Sequence, residues 1–303
     1  MNLRKLDLNL LLVFSMVYET RSNTRAAERL GLTQSAVSNA LKRLRAHLDD
    51  PLFERKGPEF VPTEQARKLA PEIKSALDAI ERTLHGGESF DPKVSQRTFS
   101  LIAMAPIETL LIPHLAQLIM DNDYPIGLNC LQFAGLEVEK AMEKGQIDVH
   151  FEPHASTRTD WNSVPLYEEQ IVFVCRQGHP RYGKQSSISV QELSSAPLVS
   201  LPENLRRLTH LEQAVREQKV ERRHVCIVSR LGSVPPVVAQ SDMIAPLPEH
   251  MAHYMAGVYG LHVMDLEFDR PAHQWHMVWP RQMEDDPGNR WLRKQIQTFY
   301  ERF

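Results

Sequence analysis

Two amphipathic segments follow each other between Asn23 and Leu48. In the first, the apolar residues share one helical face: Ala26, Ala27 and Leu30. In the second, apolar residues recur at every third or fourth position and form one face: Val37, Leu41, Leu44 and Leu48. Gly31 offers the backbone freedom that a tight turn needs, Ser22 or Asn23 can cap the first helix, and Thr33 can cap the second. The pattern therefore predicts a helix-turn-helix.

The polar side of the second segment carries side chains suited to contact DNA. Amide and hydroxyl groups can reach base edges, and cations can neutralise phosphates. The candidate DNA-binding residues of this region are Arg25, Thr33, Gln34, Ser35, Ser38, Asn39, Lys42 and Arg43. An ordinary surface helix with a solvated polar face would show a similar pattern, so the residues that follow have to decide between the two interpretations.

Two short apolar runs, Leu52-Phe53 and Phe60-Val61, flank the turn dipeptide Gly57-Pro58. They predict a two-stranded wing, and Arg55 and Lys56 near its tip are further candidate DNA-binding residues. At this point the first 70 residues or so resemble the LysR-type transcriptional regulators, through the segments LDLNLLLVF, TRAAERLGLTQSAVSNALKRLR, DPLFER and PTEQARKLAP. The opening segment, the wing and the later DPGNRWLR are most similar to the NodD/LeuO/NahR-like subgroup.

The N-terminus could be taken for a signal peptide, because Arg4-Lys5 precede an apolar run. Asp7 interrupts that run, and no cleavage site of small residues follows. Apolar residues instead fall on one helical face, which predicts a first helix that packs under the helix-turn-helix: Leu3, Leu6, Leu10, Val13 and Val17. No apolar run reaches the roughly 18 residues that a membrane span needs. We therefore expect a cytoplasmic protein that does not associate with membranes.

Charge is distributed unevenly along the chain. Residues 1–70 hold 12 Lys and Arg against 8 Asp and Glu, a net charge of +4, whereas residues 71–303 hold 23 against 30, a net charge of −7. The overall net charge of −3 would not by itself suggest DNA binding. A basic head on an acidic body is typical of a DNA-binding module attached to a second function.

A long helix is predicted from Thr63, its N-cap, to about His85, with a kink at Pro71. Its apolar stripe is close to heptad spacing: Leu69, Ile73, Ala76, Leu77, Ile80 and Leu84. A second copy of the chain could bury this stripe, and the resemblance implies an antiparallel linker-helix dimer within a homodimer or homotetramer. Such a dimer favours dyad-symmetric double-stranded DNA. The alternative is that the stripe packs only on its own domain.

The remaining chain predicts an α/β module. After the Gly-rich and polar stretch at residues 86–95, strand-like and helix-like runs alternate: FSLIAM, IETLLIPHLAQLIM, IGLNCLQF, LEVEKAMEKG and IDVHFE, with a repeat of the alternation after residue 163. This alternation predicts an open, mostly parallel sheet. Two such lobes resemble a periplasmic-binding-protein-like effector domain. The predicted domains are a winged helix-turn-helix at 1–62, a linker helix at 63–88 and an effector domain at 89–303. Lobe I would comprise 95–162 and 268–303, and lobe II 163–267.

Small ligands bind in the crevice at the carboxyl ends of the strands of such modules. The candidate ligand-binding residues at these ends are Pro106, Ile107, Phe133, His154, Asn204, Arg230 and Ser233. Pro106 suits the first position of a helix whose free amide groups would favour an anion, although Glu108 opposes this. Regulators that resemble this subgroup often respond to aromatic acids or flavonoid-like compounds, so the expected effector is aromatic or anionic.

Cys130, Cys175 and Cys226 each lie in an apolar, strand-like run without metal-binding spacing. We interpret them as inert core thiols; the alternative is redox sensing through a cysteine pair, as in some LysR-type regulators. An enzyme is disfavoured because the motifs GxSxG, GxxxxGK[ST] and HExxH are absent, and a solute-binding protein would need a signal peptide. We therefore predict a non-enzymatic transcriptional regulator without cofactor or metal, and leave contact with RNA polymerase open.

Overall fold

The structure, a computed structural model, describes residues 6–56, 59–85, 90–131, 136–206, 210–267 and 272–303. The chain divides into two units, Met1–Glu88 and Ser89–Phe303. Within the described residues, no helix combines the length and the hydropathy that crossing a membrane requires.

The first unit is built around the predicted helix-turn-helix. Its elements are α1 (Asn9–Thr20), α2 (Asn23–Leu30), α3 (Gln34–Leu48), β1 (Phe53–Lys56), β2 (Glu59–Pro62) and α4 (Glu64–His85). The predicted apolar faces form its buried core, which includes Leu10, Val13, Val17, Ala26, Ala27, Val37, Leu41 and Leu44. The first helix starts later than the pattern predicted, and the buried Leu6 precedes it. The predicted Leu3 lies outside the described residues.

Local hydrogen bonds define the turn between α2 and α3. Ser22, rather than Asn23, caps α2, because its side chain accepts a bond from the Arg25 amide. Gly31 ends α2 at φ +63°, a left-handed conformation that glycine adopts without steric cost. Thr33 Oγ1 accepts a bond of 3.1 Å from the Ala36 amide and caps α3 as predicted.

A single carboxylate organises the base of the wing. Asp50 Oδ1 accepts bonds from the Leu52 amide at 2.6 Å and from the Thr63 hydroxyl at 2.7 Å. Thr63 Oγ1 in turn accepts a bond from the Ala66 amide and so caps α4. Strands β1 and β2 pair antiparallel, as predicted, and the turn residues Gly57-Pro58 lie outside the described residues.

The long helix α4 continues through Pro71. Its first turns pack on their own unit, since Ala66 and Ala70 are buried there and Leu69 and Ile73 pack against the same core. Further along, Ala76 and Ile80 are exposed. The stripe is therefore divided between a part that packs on its own unit and a part that does not.

Lobe I contains a five-stranded sheet of order β4-β3-β5-β13-β6. Its elements are β3 (Thr98–Ile102), α5 (Ile107–Asp121), β4 (Gly127–Cys130), α6 (Leu136–Glu143), β5 (Val149–Glu152), β6 (Trp161–Glu169), β13 (His273–Pro280) and α11 (Pro287–Tyr300). Strands β3, β4 and β5 are parallel, whereas β13 pairs antiparallel with both β5 and β6. Strand β6 consequently runs in the same direction as β5, so four of the five strands of this sheet share one direction and β13 opposes them, in agreement with the predicted mostly parallel sheet.

Strand β6 was missed by the sequence analysis, and the predicted lobe boundary between residues 162 and 163 falls inside it. All of β6 pairs with β13 in the lobe I sheet, so the crossover to lobe II comes after Glu169. Its sequence WNSVPLYEE has polar residues and Pro165 within the strand, which weakens the strand pattern. An edge strand can accept a proline, because its outer amide groups need no ladder partner.

Lobe II has a four-stranded sheet of order β11-β7-β12-β8, beside which β9 and β10 pair in parallel. Its elements are β7 (Ile171–Arg176), β8 (Ser187–Ile188), β9 (Pro197–Ser200), α7 (Glu203–Arg206), α8 (His210–Glu217), β10 (Arg223–Ile227), α9 (Val234–Ala239), β11 (Ala245–Pro248), α10 (Glu249–Tyr259) and β12 (Leu261–Leu266). Both β11 and β12 run antiparallel to β7, whereas β8 runs parallel to β12. Three of the four strands of this sheet therefore share one direction, in agreement with the predicted mostly parallel sheet.

A buried ionic cluster ties the start of lobe I to α11. The Arg97 guanidinium donates to Asp148 Oδ1 and to Asp286 Oδ1, each at 2.6 Å. Asp286 also caps α11, and a Cβ on Gly288 would meet the Arg97 Nη1 atom at 2.5 Å. These contacts account for the segment DPGNR. Asp286 is the cap, Pro287 occupies the first turn, and Gly288 leaves room for Arg97. The side-chain amide of Asn289 donates a hydrogen bond to the Asp148 carbonyl.

We expect Arg97→Met to lower the free energy of unfolding by about 3–5 kcal/mol, because it leaves two largely buried carboxylates without their cation. Tryptophan fluorescence during denaturant unfolding measures this, since Trp161, Trp275, Trp279 and Trp291 all belong to the second unit. The control is Arg290→Met, whose ion pair with Asp285 is 62% and 98% exposed and should be worth about 0–1 kcal/mol. Equal losses in both variants would contradict the role of the cluster.

Candidate DNA interface and effector site

The polar face of α3 is exposed while its apolar face lies in the core. Val37, Leu41 and Leu44 are almost inaccessible to solvent. Every predicted DNA-binding residue on or next to this helix is exposed: Thr33, Gln34, Ser35, Ser38, Asn39, Lys42 and Arg43. Because the buried face fixes the rotation of the helix, these side chains have a defined direction into solvent.

Arg43 is held by a contact that the sequence analysis did not predict. Its Nη2 lies 3.1 Å from Asp7 Oδ2, with side-chain exposures of 60% and 34%. Asp7 precedes α1, so the start of the chain contributes to the presentation of this cation. An exposed ion pair of this kind is weak and can be exchanged for a phosphate.

A groove lies between the start of α2, the start of α3 and the wing strand β2. Three predicted residues line it: Arg25, Gln34 and Ser38. Residues 60–62 of β2 form its opposite wall. The groove brings hydroxyl, amide and guanidinium groups together within one concave surface, which suits contact with a nucleic acid backbone.

Arg21, Asn23 and Thr24 also line this groove, and the sequence analysis missed them. Arg21 ends α1 at φ +53°, and its guanidinium stacks over the Tyr18 ring at 4.1 Å. Arg21 Nη1 and Asn23 Oδ1 are buried and lack hydrogen-bond partners in the described part of the chain. The sequence signal that could have identified these residues is a cation next to a predicted helix start, as in RSNTR.

The predicted DNA-binding residues Thr33, Arg55 and Lys56 differ from the others in what the structure shows of them. Thr33 serves as the cap of α3, and its hydroxyl is also bonded to that of Ser35 at 2.9 Å. Arg55 and Lys56 are the last residues of β1, and their side chains lie outside the described residues.

At the carboxyl end of β3, the predicted ligand residues Pro106 and Ile107 are buried. Ile107 belongs to the core of lobe I, so its side chain does not face a crevice. Pro106 precedes α5 as its N-cap, one position before the predicted one, and follows a cis peptide bond. The exposed apolar side chain at this strand end is Met104, which was not predicted.

The start of α5 is poorly suited to an anion. The Glu108 amide already donates to the Met104 carbonyl at 3.0 Å. Burial, together with the nearby Glu108 carboxylate, raises the pKa of the Cys130 thiol at the end of β4. The negative charge of Glu108 therefore lies against the strand ends where an anionic ligand was expected, which argues against the anionic alternative.

The carboxyl end of β5 carries a carboxylate surrounded by histidines. Burial raises the pKa of Glu152, while the nearby His154 and His276 oppose that rise. His150 Nε2 lies 3.6 Å from Glu152 Oε1, and burial lowers the pKa of this imidazole. Among the described residues, no group of three or more His, Cys, Asp or Glu side chains is arranged to hold a metal ion. The predicted ligand residue His154 is exposed at this strand end.

In lobe II, Arg230 and Ser233 are exposed around the short 3-10 helix Leu231–Ser233, which precedes α9. At the end of β9, the buried Ser200 Oγ is hydrogen bonded to His224 Nδ1 at 2.6 Å. Phe133 lies outside the described residues, as does the side chain of Asn204. Of the predicted ligand residues whose side chains the structure describes, His154, Arg230 and Ser233 are thus exposed, whereas Pro106 and Ile107 are buried.

Cysteine chemistry does not favour the redox alternative. All three cysteines are free, and Cys175 is fully buried. Burial raises the pKa of Cys175 to about 11, and that of Cys130 is raised as well. Reactive thiols need a lowered pKa, because the thiolate is the nucleophile.

Comparisons with known proteins agree with this arrangement. A family model described as "Bacterial regulatory helix-turn-helix protein, lysR family" matches residues 8–67, and one described as "LysR substrate binding domain" matches residues 94–300. The chain is 32% identical to the transcriptional activator NagR of Ralstonia sp, with 100% of this chain and 99% of NagR covered. It is 30% identical to the activator NahR of Pseudomonas putida, with 97% of each covered.

Among solved structures, a probable transcriptional regulator from Pseudomonas aeruginosa superimposes with a TM-score of 0.77 at 26% identity, over 98% of both chains. The similarity to NahR confirms the predicted subgroup. Together, the exposed polar face of α3, the two-lobed module and the family matches assign the protein to a family. The chain belongs to the LysR family and is a DNA-binding transcriptional regulator with an effector-binding domain.

Proposed function

We propose that this regulator activates transcription from dyad-symmetric promoter sites, with α3 in the major groove and the groove beside α2 on the phosphate backbone. The observation that carries the proposal is the division of α3 into a buried apolar face and an exposed face with Gln34, Ser38 and Asn39. Activation is proposed because NagR and NahR are described as transcriptional activators.

Dyad symmetry requires a dimer, and α4 offers a surface for one. Its first turns are occupied by their own unit, whereas Ala76 and Ile80 beyond them are exposed. Pairing with the α4 of a second copy would bury these positions and place two recognition helices on one DNA face. A homotetramer would add further contacts between effector domains.

The effector is proposed to bind between the lobes, at the strand ends that carry Met104, Glu152 and Arg230. Carboxylates at the lobe I strand ends favour a ligand that presents hydrogen-bond donors, such as hydroxyl groups, over one that presents a carboxylate. Met104 supplies an apolar contact for an aromatic ring. A neutral, hydroxylated aromatic molecule fits these features.

We further propose that the protein acts in the cytoplasm and is not an enzyme, because NagR and NahR are transcriptional activators. Activation would place the protein beside RNA polymerase at the promoter. Contact with the polymerase is part of the proposal and is not needed for DNA recognition.

Selection of genomic fragments by the purified full-length protein at two salt concentrations, followed by sequencing, tests the proposed function. We expect recovery of a few fragments that share a dyad-symmetric motif at both concentrations. Uniform binding that disappears at the higher salt concentration would show only a basic surface, because non-specific binding depends steeply on salt.

Within such a site, Arg43→Ala should weaken binding to all sequences and reduce the salt slope by about 1, because one phosphate contact is lost. Ser38→Ala or Asn39→Ala should instead relax the preference at particular base pairs, at about 1–3 kcal/mol per lost base contact. Fluorescence anisotropy across a salt series and a set of single-base variants measures both. An unchanged salt slope for Arg43→Ala would refute the assigned orientation of α3.

Asp7→Asn should raise the affinity for DNA about twofold to fivefold, since it frees Arg43 from an exposed ion pair worth about 0–1 kcal/mol. Glu28→Gln is the matched control, because it removes one exposed negative charge elsewhere in the same unit. Fluorescence anisotropy titrations of the two variants against the same DNA measure both affinities. If Glu28→Gln raised the affinity equally, net charge alone would explain the gain.

A further inference from the structure

Glu169 stands at a crossover between the two lobes. It is the last residue of β6 in the lobe I sheet, and lobe II begins with Ile171 in β7. Across the ladder it lies opposite His273, the first residue of β13, which enters lobe I after the return crossover. The Glu169 side chain is only 3% exposed. A buried carboxylate is therefore placed where the chain passes from one lobe to the other.

The start of α10, a helix of lobe II, binds this carboxylate. Glu169 Oε1 accepts a bond from the His250 amide at 3.2 Å and lies 3.0 Å from His250 Nδ1. The Glu249 amide donates to the Gln170 carbonyl at 2.8 Å. A helix start favours negative charge, so these contacts stabilise the carboxylate in a buried position.

Aromatic rings from lobe I enclose the same contact. Tyr167 of β6 stacks on Tyr300 of α11 with ring centroids 4.5 Å apart and planes at 5°. The His250 ring meets Tyr167 edge-on at 5.2 Å, and Phe303 packs on His250 at 4.5 Å. The histidine of lobe II is thus held between rings of lobe I, which adds a packing contribution to the polar one.

The second carboxylate oxygen offers an alternative bonding arrangement. Glu169 Oε2 and the hydroxyls of Tyr167 and Tyr300 are all buried close to one another, in positions that do not complete a well-formed hydrogen bond. Burial, together with the nearby Tyr300 and Glu169, raises the pKa of Tyr167, so its hydroxyl keeps its proton and remains a donor. The tyrosine hydroxyls of lobe I are therefore potential donors close to the Glu169 carboxylate, whose other oxygen is hydrogen bonded to His250 of lobe II.

We propose that Glu169 and His250, with the rings of Tyr167, Tyr300 and Phe303, form an interlobe clasp that sets the relative position of the lobes. The clasp holds the start of α10 against lobe I in the arrangement described here. Release of Glu169 from His250 permits the lobes to move, and the buried tyrosine hydroxyls limit the cost of that release. This inference rests on the proposed function, in which the effector binds between the lobes; a ligand that binds one lobe arrangement better than another shifts the population toward it.

Pulsed electron paramagnetic resonance on the full-length protein without ligand tests the clasp. Nitroxide labels at Lys140→Cys in lobe I and Lys184→Cys in lobe II, both exposed positions, report the distance between the lobes. The half-buried Cys130 and Cys226 are replaced by serine, and labelled protein is diluted with unlabelled protein to suppress distances between copies. We expect Glu169→Gln to broaden the distance distribution and to add longer distances.

Glu168→Gln is the matched control, since Glu168 is the neighbouring residue of β6 and its side chain is exposed. It should leave the distribution as in the parent protein. A folded Glu169→Gln variant with an unchanged distribution overturns the proposal. If Glu169→Gln does not fold, His250→Leu decides, because it removes the ring contact and keeps the backbone amide; a distribution like that of the parent overturns the proposal equally.

Selection of genomic fragments by the same variants separates this inference from the proposed function. Glu169 lies in the second unit, so the Glu169→Gln variant should recover the same fragments as the parent protein. Failure of the parent to select any shared motif would refute the proposed function, while the distance measurement would still report on the clasp.

Discussion

The burial of one face of α3 is the constraint on which the proposed DNA-binding surface depends. Val37, Leu41 and Leu44 are packed between α1, α2 and the wing base, so the helix cannot rotate without losing its core contacts. Every exposed side chain on the opposite face inherits its direction from this packing. The polar residues between Gln34 and Arg43, which we propose contact DNA, are therefore positioned by buried apolar residues, in the way that a rigid scaffold positions a binding surface.

The apolar periodicity made the first unit predictable from sequence. Its helices, its caps at Ser22 and Thr33 and its wing all rest on contacts between near neighbours in the chain, and these contacts leave a readable pattern. Strand β6 left no such pattern in the sequence, because its position depends on pairing with β13, more than 100 residues later in the chain. Its mixed sequence is tolerated only because it lies at an edge.

The effector site was less predictable for a related reason. Strand ends can be placed from a pattern, but the direction of a side chain at a strand end is set by packing. Ile107 illustrates this, since it lies at the expected place and turns into the core, whereas Met104 three residues earlier is exposed. The Arg43–Asp7 pair was equally unpredictable, because it joins α3 to a segment that precedes the first helix.

The carboxylate of Asp50 joins two elements with different tasks. One oxygen accepts bonds from both Leu52 at the wing base and Thr63 at the cap of α4, so the wing and the start of the linker helix share a single anchoring atom. A tilt of the linker helix would therefore carry the wing with it. If α4 mediates a dimer and α3 reads bases, as proposed, coupling of this kind would let a change in dimer geometry alter the contacts of the wing with the sugar-phosphate backbone without moving α3.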